Sequence, residues 1–245
     1  MKKILGYICT PFFYLAFGLI LAIFHLVQVI CWNLWGYKAH KISVDIFNFM
    51  LVKSLGIMGA SVRFEGFDKL PQNKPLIIIA NHQSMFDIPP IVWGFRKHHA
   101  KFISKKELGH GIPSISYNLR KGGSVLIDRK NPQQAMEAIR RLGRKIEDHN
   151  YSAVIFPEGT RSRNGKVKKF KVGGIKALLE VSPSAYIVPF VVDGNYRLQE
   201  SGAFPLSFGL KLSYSVLAPF NPEGLNAEDV TERSEYLIKK YLGQL

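Results

Sequence analysis

Two side chains able to move a proton stand five positions apart in the run Asn81-His82-Gln83-Ser84-Met85-Phe86-Asp87, directly after the apolar stretch Leu76–Ala80. Imidazole has an ordinary pKa of about 6.5, so it can accept a proton near neutrality. A carboxylate beside it fixes the tautomer and offsets the charge it gains. On a regular helix an offset of five residues turns about 140°, so the two cannot share a helix face. They meet only where the chain bends, with His82 in the turn and Asp87 at the start of the next helix. The same residues carry a plainer reading: Asp87 caps the helix that opens at Ile88-Pro89, and His82 is a hydrogen-bonded loop residue.

A second polar loop follows the apolar run Ala153–Phe156. It reads Phe156-Pro157-Glu158-Gly159-Thr160-Arg161-Ser162-Arg163. Proline and glycine make a tight turn there and present a carboxylate, hydroxyls and two guanidinium groups at one place. The planar fork of arginine suits a phosphomonoester. The basic run Lys166, Lys168, Lys169, Lys171 comes next, and such a run is also what a solvated or membrane-facing loop looks like. A third apolar run, Ser124–Ile127, ends in Asp128-Arg129, which by itself is equally an exposed ion pair.

These loops need a frame. Over residues 61–245, short apolar runs alternate with polar, helix-like stretches, the pattern of an α/β domain with a mixed central sheet flanked by helices. The runs that read as strands are Val62–Phe64, Leu76–Ala80, Lys101–Ile103, Ser124–Ile127, Ala153–Phe156, Tyr186–Val192 and Leu210–Val216. Helices are expected near Pro89–Phe95, Pro132–Asp148, Gly174–Val181 and Ala227–Leu242. Asn131 and Asn226 are the expected caps of the two longer ones. In an open α/β sheet, ligands gather at the carboxyl ends of strands, where all three polar loops fall.

Residues 1–60 differ in kind. From Ile4 to Tyr37 there is no Asp, Glu, Lys or Arg. This stretch exceeds the ~20 apolar residues a bilayer-spanning helix needs, and is longer than the core of a cleaved signal. Trp32 and Trp35 close it with rings that favour the membrane interface. Lys2 and Lys3 precede it, and Lys38, Lys41 and Lys53 follow, so the positive-inside rule places both ends on the cytoplasmic face. A helical hairpin broken near Pro11 or Gly18 meets that demand, and a single tilted span does not. Ser43 to Met58 read as a further helix joining anchor to body, or as an ordinary core helix.

The 245-residue chain carries 33 Lys+Arg against 18 Asp+Glu, a formal net charge of +15. That excess calls for an anionic partner: a nucleic acid, an anionic membrane surface or a phosphorylated substrate. Cys9 and Cys31 lack a CxxC spacing, so neither a zinc ribbon nor a redox motif is indicated.

Taken together, these segments resemble the glycerolipid acyltransferase family, typified by 1-acylglycerol-3-phosphate acyltransferases. The family's NH-four-residues-D motif is matched by Asn81-His82 through Asp87. Its glycine-to-arginine motif is matched by Gly123 to Arg129, with Leu126 where phenylalanine is usual. FPEGTRS is matched letter for letter by Phe156–Ser162, and the proline in an apolar strand by Ile187-Val188-Pro189-Phe190. Phe170-Lys171-Val172-Gly173 also looks like a family element. All fall in the family's order over roughly residues 75–195.

The resemblance implies transfer of a fatty acyl group from acyl-CoA or acyl carrier protein to the sn-2 hydroxyl of lysophosphatidic acid, giving phosphatidic acid. It implies no metal and no resident cofactor. His82 would act as base and Asp87 as its orienter. Arg129 and Arg161 would hold the phosphate, and Glu158, Gly159 and Thr160 would shape the glycerol site. Lys105 or Lys106 is the candidate for the oxyanion. The lack of a GxSxG elbow agrees with direct transfer and no acyl-enzyme. The expected partners are thus an anionic membrane surface, lysophosphatidic acid and the thioester donor, with no nucleic acid. Three other readings compete: the same chemistry on another lysolipid, a metal hydrolase built on His82 and Asp87, and a basic membrane- or nucleic-acid-binding module without catalysis. The second lacks a third ligand at useful spacing, since His98, His99 and His110 are dispersed.

Overall fold

A computed structural model describes residues 1–245. Its centre is a seven-stranded sheet ordered β1-β7-β6-β2-β5-β3-β4. The strands are β1 (Ser61–Glu65), β2 (Leu76–Ala80), β3 (Ala100–Lys105), β4 (Val125–Ile127), β5 (Ser152–Ile155), β6 (Tyr186–Asp193) and β7 (Lys211–Val216). From β6 to β4 all neighbours run parallel, while β7 runs antiparallel to β6 and carries β1 parallel to itself. The sheet is therefore mixed, as the sequence implies, and all seven anticipated strands form. β2 is buried along its whole length, as an apolar strand covered on both faces must be.

Side chains alternate between two cores. Leu76, Ile78 and Ala80 of β2, with Val188, Phe190 and Val192 of β6, enter one core with α1 (Lys2–Ser54) and α2 (Ile88–Gly94). Ile77, Ile79, Ile187 and Val191 point the other way, toward α4 (Pro132–His149), α5 (Val172–Leu179) and α6 (Ala227–Tyr241). The expected caps form: Asn131 Oδ1 accepts from the Gln134 amide at 3.0 Å, and Asn226 Oδ1 from the Asp229 amide at 2.8 Å. One short helix, α3 (Ile115–Lys121), was not anticipated. It is as short as α2 but lacks that helix's opening proline pair, and its place is fixed by contacts to α1. The Ser114 hydroxyl donates to the Leu21 carbonyl at 2.7 Å.

The N-terminal helix α1 (Lys2–Ser54) is interrupted once, at Gly36, with φ 70° and ψ −156°. Phe24 faces Phe47 at 5.7 Å between ring centroids and Trp32 faces His40 at 5.3 Å, so residues 2–35 and 37–54 lie antiparallel as a hairpin. The expected hairpin within residues 4–37 does not form: Pro11 and Gly18 lie inside one continuous limb, the reversal falls at Gly36, and Lys38 and Lys41 stand at the turn rather than beside Lys2 and Lys3. A proline bends a helix without reversing it, whereas reversal here uses a backbone conformation open almost only to glycine.

Along the first limb Ile4, Ile8, Phe12, Leu15, Leu19, Ile23, Leu26, Ile30 and Leu34 are 51–67% exposed, at steps of three and four residues. They form one continuous apolar stripe facing outward. The opposite side of the limb is docked on the body. Gly6 passes so close that an added Cβ would lie 2.7 Å from the Leu206 carbonyl oxygen. Phe13 is fully buried against Phe86, ring to ring at 5.8 Å.

Candidate active site

The parallel strands β2, β5, β3 and β4 end at one edge of the sheet, and the chemistry-bearing loops leave from it. Asn81 extends β2 by pairing with β6: its amide donates to the Val192 carbonyl and its carbonyl oxygen accepts from the Val192 amide, both at 2.8 Å. The side chain thus does the work of a strand backbone and frees the main chain to turn. His82 follows in that turn. A short 3₁₀ segment, Met85–Asp87, then brings the carboxylate back toward the imidazole.

The His82 Nδ1–H donates to Asp87 Oδ2 at 2.8 Å. The same oxygen accepts the backbone amides of Gln83 at 2.7 Å and Ser84 at 2.9 Å, and Asp87 Oδ1 accepts the Asn195 side-chain amide at 2.7 Å. Asp87 is fully buried, and four donors converge on it. Since a carboxylate cannot donate, the proton of this bond sits on Nδ1 and leaves Nε2 bare. The side chain of Asp87 makes no cap bond to α2, so the plainer reading fails there; it completes a capping box with Ser84 around the 3₁₀ segment and bonds to the His82 imidazole. His82 itself is part-exposed, and its ring stacks on Phe156 at 4.2 Å between centroids.

The FPEGTRS loop grips the His82 backbone from both sides. Glu158 Oε1 accepts the His82 amide at 2.7 Å, and the Ser162 amide donates to the His82 carbonyl at 2.7 Å. Glu158 Oε2 accepts the Lys168 amide at 3.0 Å. Burial pushes the Glu158 carboxyl above the usual carboxylate range, and the two amides oppose that shift. Both of its oxygens thus tie loops together. Lys168 Nζ donates to Thr160 Oγ1 and to the Arg161 carbonyl, each at 2.9 Å, so one member of the basic run shapes this loop. Gly159 sits at φ 71° and accommodates the turn.

Arg161 and Arg129 are exposed, and neither guanidinium has a protein partner. Their positions differ. Arg161 adjoins Ser162, which touches His82 directly. Arg129 leaves the end of β4, three strand spacings from β2, roughly 14 Å across the sheet. Lys105 ends β3 exposed and unpaired. Lys106 is engaged by Asp128, and that exposed pair raises the lysine and lowers the aspartate. His98 and His99 stand at the start of β3, the edge opposite His82. Phe156 opens the FPEGTRS motif, whereas Asn195 and Tyr214 carry no motif signature as partners of the pair. The only local signal was Gly194-Asn195 directly after a strand, a turn dipeptide that returns chain to the sheet edge.

The Acyltransferase family model matches residues 61–193, which contain the His82–Asp87 and FPEGTRS loops and Arg129 but end just before Asn195. A 1-acyl-sn-glycerol-3-phosphate acyltransferase of Cocos nucifera is 31% identical over 179 residues, 70% of this chain and 56% of the relative. The alpha form of that enzyme from Ovis aries is 26% identical over 190 residues, 77% of this chain and 64% of the relative. The chain thus spans between 56% and 64% of the length of these two relatives. The crystal structure of the 1-acyl-sn-glycerophosphate (LPA) acyltransferase PlsC from Thermotoga maritima superposes with a TM-score of 0.79 at 24% identity, covering 100% of this chain and 97% of that one, a likeness of fold. On the extent of the family match, which takes in more than half of its residues, this chain belongs to the Acyltransferase family.

Proposed function

We propose that the protein transfers a fatty acyl group from a thioester, acyl-CoA or acyl carrier protein, to the sn-2 hydroxyl of 1-acylglycerol-3-phosphate. The observation that carries this reading is the His82 Nδ1–Asp87 bond at 2.8 Å, which presents a bare Nε2 at the sheet edge. His82 Nε2 takes the hydroxyl proton as that oxygen attacks the thioester carbonyl. The tetrahedral intermediate then expels the thiolate, which receives the proton from the imidazolium. Asp87 steadies the imidazolium between the two steps. Arg161 holds the acceptor phosphate, with Arg129 as a second cation further along the edge. Lys105 and backbone amides face the growing oxyanion. Relatives named for the same reaction support this choice over another lysolipid acceptor.

The outward apolar stripe of α1 supports seating in the leaflet of a membrane, with the body on the cytoplasmic side. The turn at Gly36 returns both ends of the hairpin to the same side, where Lys2, Lys3 and Lys53 suit anionic headgroups at about 1 kcal/mol each.

Purified protein in lipid is offered lysophosphatidic acid and other lysolipids with each donor. Expected is phosphatidic acid formation, lowered by about 10²–10⁴-fold in His82→Ala. Arg161→Ala is expected to raise KM for the phosphorylated acceptor by at least tenfold. Turnover by His82→Ala near that of the parent would remove the base from the mechanism.

A further inference from the structure

The carboxylate that orients His82 is itself held from below. Asn195 lies in the turn after β6 and is fully buried. Its Nδ2 donates to Asp87 Oδ1 at 2.7 Å. Its Oδ1 accepts the hydroxyl of Tyr214, also fully buried, at 2.7 Å. Tyr214 belongs to β7, where it faces Val192 in the antiparallel register and stacks on Phe64 at 5.5 Å between centroids.

Donor and acceptor roles are forced along this line. Burial and the charge of Asp87 keep the phenol protonated, so Tyr214 donates. The amide oxygen of Asn195 must then face Tyr214 and its NH₂ must face Asp87. The approach is purchased by Gly194 at φ 88°, where a Cβ would lie 2.4 Å from the Lys211 carbonyl oxygen. Neither Asn195 nor Tyr214 is near solvent, and neither reaches His82.

We infer that Asn195 and Tyr214 are positioning residues for acyl transfer: the Tyr214 hydroxyl locks the Asn195 amide, and that amide holds the Asp87 carboxylate in register with His82. This rests on His82 acting as base. An amide dipole aimed at Oδ1 draws charge away from the face that meets the imidazole. Removing it leaves Asp87 a stronger partner for imidazolium and a looser guide for imidazole.

The test is a cycle of Tyr214→Phe, Asn195→Ala and the double variant, each assayed for acyl transfer across pH with folding checked by thermal unfolding. Tyr214→Phe removes a single oxygen and is the variant least able to disturb the fold. Expected is a fall in kcat of about tenfold, the low end of the range for outer partners that orient the groups in contact with the reacting centre. KM for lysophosphatidic acid should hold, and the acid limb of the kcat/KM profile should move to higher pH. Because Tyr214 acts only through Asn195, the double variant should be no slower than Asn195→Ala.

Losses that simply multiply, or an unmoved acid limb with kcat falling only as folded protein falls, would overturn the relay. If Asn195→Ala does not fold, the Tyr214→Phe profile decides alone. His82→Ala is run alongside. An inactive His82→Ala with an unaffected Tyr214→Phe sinks only the relay, whereas an active His82→Ala sinks the base reading beneath it.

Discussion

At the scale of single residues, the loops separate into groups left exposed and unpaired at the sheet edge and groups that hold other groups still. Glu158 and Arg161 are three positions apart in one motif and belong to different classes. Glu158 is buried and accepts the amides of His82 and Lys168; Arg161 is exposed and unpaired. Glu158→Ala would strip the acceptor from two amides, at about 1.5–3 kcal/mol each for bonds to a charged group. Both Tm and kcat should fall, while Arg161→Ala should leave Tm where it was and act on KM. A Glu158→Ala protein with normal Tm and altered KM alone would reverse that assignment. The sequence displayed His82, Asp87, Glu158 and Arg161, since each sits beside a turn signal at the end of an apolar run. It did not display Tyr214, which in β7 reads as one more core aromatic.

At the scale of elements, what was legible follows from burial. The central strands β2, β5 and β6 are short, almost wholly apolar and bounded by turn residues, and the outer strands keep enough apolar positions to be read beside them; α3 was missed because its place depends on contacts to α1 that the sequence does not display. The hairpin turn was misplaced because Pro11 and Gly18 are commoner signs of a break than a glycine flanked by Trp35 and Tyr37. That turn brings Tyr37 onto the start of β3, where its hydroxyl accepts from Lys101 Nζ at 2.9 Å.

Lys101 is buried, and burial lowers its ammonium from the ordinary lysine value to about 7. A lysine held below its unfolded value binds fewer protons when folded. Stability should therefore rise with pH from about 7 toward the ordinary lysine value, with a slope of up to about 1.4 kcal/mol per pH unit. Lys101→Met should flatten that rise. Denaturant unfolding between pH 7 and 9.5 reads it, and an unchanged slope would show that Lys101 is not its source.

At the scale of the whole molecule, the hairpin is no detachable tether. Its first limb presents an apolar stripe outward and packs inward through Phe13 and Phe17 onto Phe86, the residue before Asp87. Phe13→Ala leaves a cavity in that seam, at about 3–5 kcal/mol for a buried phenylalanine. Acyl transfer in vesicles should then be lost at a lower temperature than the sheet unfolds, a gap seen by following activity and far-ultraviolet dichroism together. Coincident losses would argue that the hairpin and the catalytic loop are independent.

The same seam has a geometric consequence. On the proposed seating of the first limb in a leaflet, a rod bolted to the loop that carries Asp87 would set the height of His82 above the hydrocarbon once and for all. The proposed acceptor, a lysolipid gliding within its monolayer, would arrive with its headgroup already level with the imidazole. A leaflet made thicker or thinner would then detune the reaction with no residue changed.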